Sequence, residues 1–335
     1  MSVSRISRRN MIIQSTAGAL AIAGCKRFSP GTAGSGRNGN PRIGHLYFAP
    51  EEGVELCIKG FYDGLKGQGL EKDKNLDVLS SHAQGEISNI PMILQNFLTE
   101  GVDLIVTMTT PCLTAACNLA KSKHIVFTYC YDPVAAGAGT SLDNHLPNVT
   151  GVGSFPPVAD TVDLIRKLVP GVKAVGTVYN NSEANSVKVI SVARDEFKKH
   201  GIALEEVTAN NTSEVFQSAQ VACSRKVQAM WVTGDNTALQ SFDGIVKATR
   251  NAKLPLIIND PEFTARGALA CVGLGWYAPG KAGGELAARV LRGYDPRNIP
   301  FQQVAIQKLV LNQEAAKTLG ITFPPDMIKA AAAQA

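Results

Sequence analysis

One polar segment of this chain combines the groups that could hold a small charged molecule. It is Val178–Val187 (VYNNSEANSV), in which Asn180, Glu183, Asn185 and Ser186 supply amide, carboxylate and hydroxyl groups. A zwitterion needs this mixture, because its anionic end takes hydrogen-bond donors and its cationic end takes an acid. The segment joins a predicted strand to a predicted helix, so free backbone N–H groups and the positive end of a helix dipole lie at the same corner.

A structural interpretation of the same segment remains open. Ser182 could simply be the N-cap of a helix that runs from Glu183 to about His200, since serine is a favoured cap residue. The binding hypothesis predicts that Asn185 and Ser186 donate hydrogen bonds to a ligand carboxylate. The structural interpretation predicts that they only stabilise the start of the helix.

The elements that would position this corner follow from the apolar pattern, which predicts alternating strands and helices in two successive series. The strands of the first series are predicted at 41–48, 76–80, 102–108 and 125–129, and those of the second at 173–179, 203–208, 229–233, 254–259 and 268–274. Residues 132–151, rich in Gly, Pro and Asn, predict a loop that crosses between the halves. Continuous apolar strands indicate parallel sheets covered on both faces. The predicted fold class is therefore α/β, with two doubly wound, Rossmann-like parallel-sheet lobes joined by a hinge.

Ligands of open parallel sheets bind beyond the carboxyl ends of the strands, so the residues that follow each strand are candidates for the site. Nearly all of them carry a hydroxyl, amide or acid. Any single one could be a cap or turn residue, but their recurrence around two sheets favours ligand binding. The predicted ligand-binding residues are Ser80, Gln84, Thr109, Thr110, Asp132, Tyr179, Asn180, Glu183, Asn185, Ser186, Asp235, Asn236, Asp260 and Trp276. Among the aromatic residues, Phe48, Tyr131, Tyr179 and Trp276 could flank a flat ring or equally pack the hinge.

The N-terminal segment predicts export. A pair of arginines, Arg8-Arg9, precedes a short apolar stretch, which is the layout of a signal peptide over residues 1–24. Ile22-Ala23-Gly24-Cys25 resembles a bacterial lipobox, which predicts lipidation of Cys25. Residues 25–40 then predict a flexible tether. An alternative remains open, in which an ordinary signal peptide is cleaved near this position and Cys25 has no role. The choice between the twin-arginine and the general secretory export routes also remains open.

Composition and motifs exclude several classes of function. The chain has 33 basic and 28 acidic residues, and three of the basic ones (Arg5, Arg8 and Arg9) lie in the signal segment. Such a nearly neutral chain argues against a nucleic-acid partner, which requires a concentrated basic face. No metal-binding spacing, GxSxG, Walker loop or complete GxGxxG is present, so we expect no metal, no cofactor and no enzymatic activity. The six cysteines after Cys25 adjoin apolar segments, which predicts buried free thiols.

An ordered set of short motifs carries a family resemblance. It comprises VYNNSEANSV, the helix opening Thr109-Thr110-Pro111, YDPVAAG, NVTGV, GDNT and NQEAAKTLGITFPP. In this order, over about residues 41–330, the set resembles the substrate-binding component of ABC transporters, in the branch of the type I periplasmic binding protein fold that includes tryptophan- and tyrosine-binding lipoproteins. Family members often carry proline and glycine where this chain has Asn181 and Ser182.

The resemblance implies a domain division and a function. Lobe 1 would comprise residues 41–152 plus about 278–299, and lobe 2 residues 153–277 plus about 300–335. The expected protein is a monomeric extracytoplasmic lipoprotein, held at the membrane by its lipid. It would capture a small polar ligand, most readily an amino acid, aromatic ones included, and deliver it to ABC permease and ATPase subunits. Two alternatives stay open: a ligand-binding component that feeds a signalling receptor, and a tethered α/β enzyme.

Overall fold

The computed structural model describes residues 34–304 and 306–333. The predicted signal segment, Cys25 and the first part of the predicted tether lie outside these residues. The last part of the predicted tether is bound to the first lobe: the N–H and hydroxyl of Ser35 donate to Asp103 (3.0 and 3.1 Å), and the N–H of Arg37 donates to Asp77. In the part of the chain described, no helix is both long and apolar enough to cross a bilayer.

Strands and helices alternate along the chain. The strands are β1 (Arg42–Tyr47), β2 (Asp77–His82), β3 (Leu104–Met108), β4 (His124–Cys130), β5 (Val149–Gly153), β6 (Ala174–Tyr179), β7 (Ala203–Thr208), β8 (Ala229–Val232), β9 (Leu256–Ile258), β10 (Ala270–Leu274), β11 (Gln302–Gln303) and β12 (Gln307–Leu311). The helices are α1 (Glu52–Gly67), α2 (Ile90–Thr99), α3 (Thr110–Leu119), α4 (Val158–Leu168), α5 (Ala184–Lys199), α6 (Val215–Ser224), α7 (Asn236–Gln240), α8 (Phe242–Asn251), α9 (Tyr277–Leu291), α10 (Gln313–Leu319) and α11 (Pro325–Ala332).

Two six-stranded sheets form two lobes. The first sheet has the order β11-β5-β4-β3-β1-β2 and the second β12-β10-β9-β8-β6-β7. All strand pairs are parallel except β10 with β12. Apolar strands such as β3, in which all five residues are buried, place the core on both faces of each sheet. The predicted α/β class with two parallel-sheet lobes is confirmed.

The chain crosses between the sheets three times: from β5 to α4, from β10 to α9, and from β11 to β12. Helix α9 returns to the first lobe and packs along α1 through glycines: a Cβ on Gly60 would lie 2.1 Å from the carbonyl oxygen of Tyr277, and one on Gly280 2.1 Å from that of Cys57. Because β11 pairs with β5 in the first sheet, the last crossing follows Gln303, a few residues beyond the predicted return at about residue 300.

Some predicted elements differ from the structure. Strand β5 begins inside the stretch 132–151, which the sequence predicts to be a loop, and ends at Gly153. Gly151 lies in this strand because a Cβ there would lie 2.3 Å from the carbonyl oxygen of Phe127 on the neighbouring strand. The apolar pattern also predicts a helix over 158–168, which the structure contains as α4. It predicts a single helix over 237–250, which is divided at Ser241, whose φ of −115° and ψ of 28° are not helical. The six cysteines between Cys57 and Cys271 are all free.

Candidate functional site

The carboxyl ends of the two sheets face each other across a narrow cavity. The space between protein atoms there is about 440 Å³ with the part open to solvent included, and about 20 Å³ of it can hold the centre of a water-sized sphere. Six predicted site residues line it: Thr109, Thr110, Asn185, Asn236, Asp260 and Trp276. The other lining residues are Phe48, Ala49, Glu51, Tyr129, Tyr131, Gly234, Leu239 and Gln240. The cavity therefore takes residues from both lobes, as expected of a site at the strand ends of two open sheets.

Three aromatic residues form one wall of this cavity. The ring centroids of Tyr129 and Trp276 are 4.1 Å apart, and Tyr131 stacks on Trp276 at 5.9 Å with an interplanar angle of 19°. All three side chains are buried. Their polar atoms are held as well, since the indole N–H of Trp276 donates to Asp260 (3.1 Å) and the hydroxyl of Tyr129 donates to Glu51 (2.6 Å). The wall offers flat apolar faces at fixed positions.

Two carboxylates border the same wall, that of Asp260, which is buried, and that of Glu51, which is half-buried. Glu51 caps α1 by accepting from the N–H groups of Gly53 and Val54 (2.9 and 2.7 Å). Burial, together with the charges of Glu51 and Glu262, raises the pKa of Asp260 to about 8, and burial also raises the pKa of Glu51. No Lys or Arg is among the residues that line the cavity. A bound cation would therefore stabilise the charged form of these acids, which burial disfavours.

The first turns of α3 and α5 also border the cavity, through Thr110 and Asn185. Neither helix has a side-chain hydrogen bond that caps its N-terminus, and the two helices contact each other across the lobes. Thr109, which precedes α3, has a φ of 84°, and its N–H donates to the carbonyl of Tyr129, whose φ is 53°. Uncapped N–H groups at helix starts favour an anion, and positive φ values at non-glycine residues commonly occur at functional sites.

One tyrosine connects the two lobes inside the cavity. Tyr131 follows β4 of the first lobe, and its hydroxyl accepts from the N–H of Gly234 (3.1 Å) in the second lobe. The same hydroxyl donates to Asp260 (3.5 Å). Gly234 makes this contact possible, because a Cβ there would lie 2.0 Å from the tyrosine oxygen.

The polar corner at Val178–Val187 forms a network within the second lobe. Glu183, only 1% exposed, accepts from the N–H and amide of Asn236 (3.0 and 2.5 Å) and from the N–H and hydroxyl of Thr237 (2.9 and 2.8 Å). Asp235 accepts from the N–H of Asn180 (2.7 Å) and the hydroxyl of Ser186 (2.6 Å), and it caps α7. Burial and the neighbouring Glu183 raise the pKa of Asp235 well above its usual range.

This network bears on two expectations, the identity of the N-cap of α5 and the role of the Asn185 and Ser186 side chains. The residue before the first turn of α5 is Glu183, not Ser182, whose N–H instead donates to the side chain of Asn180 (2.9 Å). The side-chain donors of Asn185 and Ser186 are both used inside the lobe, by Gly234 (3.1 Å) and Asp235 respectively. Donation from these side chains to a ligand carboxylate therefore stays a prediction, and in this arrangement their donors already have protein partners.

Eight of the fourteen predicted residues do not line the cavity. Asn180, Glu183, Ser186 and Asp235 belong to the network within the second lobe, and the other four are Ser80, Gln84, Asp132 and Tyr179. The hydroxyl of Ser80 lies 3.2 Å from Nδ1 of His45, and the N–H of Gln84 donates to His82 (3.2 Å). Asp132 accepts from the N–H groups of Val134 and Ala135, and the hydroxyl of Tyr179 donates to Glu206 (2.9 Å). Conversely, Glu51, Tyr129 and Gln240 line the cavity without having been predicted. Within the described ranges, no group of three or more His, Cys, Asp or Glu is arranged to hold a metal ion.

Comparisons with known proteins show which proteins this chain is similar to. The profile of the family described as "ABC transporter substrate binding protein" matches residues 43–335. A "Tyrosine-binding protein" from Clostridioides difficile (strain R20291) is 28% identical over 92% of this chain and 91% of its own length. A solved ABC domain in complex with L-Trp from Streptococcus pneumonia is 30% identical, with a TM-score of 0.83 over 87% of this chain and 98% of that chain.

A third relative is less similar to this chain in structure. It is the ligand-free, open structure of a substrate-binding protein with adhesive properties from Clostridium difficile, 27% identical over 85% of this chain and 97% of that chain. Its TM-score of 0.65 is lower than that of the L-Trp complex, although the sequence identities are close. From its profile match over most of its length, the chain belongs to the ABC transporter substrate-binding protein family.

Proposed function

We propose that this protein captures an α-amino acid with an aromatic side chain between its lobes. The observation that carries the proposal is that Glu51 and Asp260 share one cavity with Tyr129, Tyr131 and Trp276, while no Lys or Arg lines it. Such a cavity favours a ligand that brings its own cation and a flat ring. The uncapped starts of α3 and α5, which border the same cavity, favour a carboxylate. The names of the tyrosine-binding relative and of the L-Trp complex agree with this ligand class.

Binding of L-tryptophan, L-tyrosine and L-phenylalanine to the purified mature chain tests the proposal. Calorimetric titration should give a dissociation constant, and saturating ligand should raise the melting temperature, since a ligand at 100 times its dissociation constant stabilises the folded state by about 2.7 kcal/mol. Asp260→Asn and Glu51→Gln should each weaken binding by roughly tenfold or more, because a charged hydrogen bond is lost. If none of the three amino acids binds the wild-type protein, the proposal fails.

We extend the proposal to the place of action. The layout of residues 1–25 supports an exported lipoprotein anchored through Cys25, and family membership supports delivery of the ligand to an ABC permease and its ATPase. Cys25→Ser should release the protein from membranes into the soluble fraction, and unchanged membrane association would contradict the anchor. Ligand-dependent stimulation of the ATPase in vesicles would support import; failure of that stimulation beside ligand-dependent activation of a receptor kinase would support the sensing alternative.

A further inference from the structure

The side-chain amide of Asn185 has a fixed orientation. Asn185 lies in the first turn of α5, lines the cavity and is only 3% exposed. Its Nδ2 lies 3.1 Å from the carbonyl oxygen of Gly234 and 3.4 Å from Oε2 of Glu183. A backbone carbonyl oxygen can only accept hydrogen bonds, so the amide nitrogen must point to Gly234. The carbonyl oxygen of the amide is thereby turned away.

That oxygen, Oδ1 of Asn185, is buried and has no hydrogen-bond partner in the described structure. Buried polar atoms are satisfied in the great majority of cases, and an unsatisfied one is costly. Because the residue lines the cavity, a hydrogen-bond donor on a bound molecule would remove this cost. The cavity thus presents an acceptor in the place where the sequence predicts a donor.

The position of Asn185 indicates which donor it would meet. The neighbouring N–H groups at the start of α5 favour a carboxylate, and in an α-amino acid the ammonium is attached to the next carbon atom. Asn185 and Asp260 both border Gly234: Asn185 bonds its carbonyl, and Oδ2 of Asp260 lies 3.1 Å from where its Cβ would be. An ammonium carries three hydrogen-bond donors, enough to donate to both Asn185 and Asp260.

We propose that Asn185 is a specificity-determining residue whose Oδ1 accepts a hydrogen bond from the α-ammonium of the ligand. The first turn of α5 would then recognise the ammonium and carboxylate of an α-amino acid together, through one side-chain acceptor and adjacent backbone donors. This inference rests on the proposed amino-acid function and adds a residue that selects for the amine.

A comparison of matched ligands tests the role of Asn185. L-tryptophan has an amine where indole-3-lactate has a hydroxyl and indole-3-propionate only hydrogen, and each is titrated into the wild type and Asn185→Leu. We expect the wild type to prefer L-tryptophan, and Asn185→Leu to lower that preference by roughly tenfold to a hundredfold. Ser186→Ala, in the same turn, is the control; it removes the hydrogen bond to Asp235 and should leave the preference unchanged. An equal loss of affinity for all three ligands in Asn185→Leu would overturn the inference.

A second pair of variants keeps the test decisive if the two analogues bind too weakly to measure. Asn185→Asp and Asn185→Leu have similar shapes and both lose the amide donor, but only Asn185→Asp retains an acceptor. An ammonium contact predicts that Asn185→Asp binds L-tryptophan at least tenfold more tightly than Asn185→Leu, whereas a carboxylate contact predicts the opposite order. If L-tryptophan, L-tyrosine and L-phenylalanine all fail to bind the wild type, the proposed function fails; if binding occurs with the wrong order, only the role of Asn185 fails.

Discussion

Asp260 should make ligand binding dependent on pH. In the cavity without ligand its pKa is raised from 3.8 to about 8, chiefly by burial and further by the charges of Glu51 and Glu262. Near neutral pH the carboxyl is therefore mostly protonated, and an incoming ammonium favours its charged form. Binding should thus release a proton, so affinity should rise as the pH increases toward 8 and fall, by up to about tenfold per unit, as the pH is lowered.

Titration calorimetry with L-tryptophan between about pH 6 and about pH 8 would measure this dependence. Repeating each titration in buffers with different ionisation enthalpies would report the released proton directly. Asp260→Asn is the matched control, since it keeps the acceptor for the indole of Trp276 but cannot ionise. Proton release that persists in Asp260→Asn would assign the effect to Glu51 or to Glu262, whose pKa is raised to about 7.

The cavity residues that the sequence analysis did not predict are those whose side-chain direction depends on local backbone geometry. Glu51 lies in the stretch that follows the first strand, but a glutamate before a helix indicates a cap; here it caps α1 and lines the cavity as well. Tyr129 lies inside an apolar strand. Its φ of 53° and the register shift between Phe127 and Cys130 turn the end of the strand, and neither feature is visible in a strand pattern.

At the scale of elements, the sequence predicted most strands and helices because their apolar periods are strong. The helix at Val158–Leu168 and the strand at Ala203–Thr208 have the bounds expected from the pattern. Strand β5 escaped prediction because its glycines satisfy close packing against Phe127, while glycine in a sequence usually indicates a turn. Short strands at the edges, such as β11, form by pairing with a distant segment, so the local sequence pattern does not reveal them.

The corner between β6 and α5 shows why elements could be predicted more easily than roles. The sequence places Glu183, Asn185 and Ser186 correctly at the start of a helix, but the partners of Glu183 and Ser186 lie on the segment that follows β8. These long-range contacts turn Glu183 into a cap for α7. Of the set, Asn185 remains in the cavity, with its acceptor rather than its donor unpaired.

At the scale of the whole molecule, the contact between Tyr131 and Gly234 should hold the lobes together. The tyrosine oxygen bonds the N–H of Gly234 and reaches Asp260, so it links the first lobe to the second beside the proposed ammonium site. A Cβ on Gly234 would lie 2.0 Å from the tyrosine oxygen and 2.6 Å from its Cζ. The φ of Gly234 is not positive, so alanine can adopt its backbone conformation. The added methyl group would overlap Tyr131 only when the lobes approach each other.

Gly234→Ala should therefore fold normally but resist closure. Steric overlap of this kind costs about 1–3 kcal/mol, and because the ligand binds the closed form, its apparent affinity should fall by roughly tenfold to a hundredfold. Small-angle scattering should show the wild type becoming more compact with L-tryptophan, and Gly234→Ala keeping the larger radius at the same concentration. Gly67→Ala is the matched control, because no atom lies within 4 Å of its added Cβ; it should bind and close like the wild type. If Gly234→Ala closes with wild-type affinity, Tyr131 and Gly234 do not limit closure.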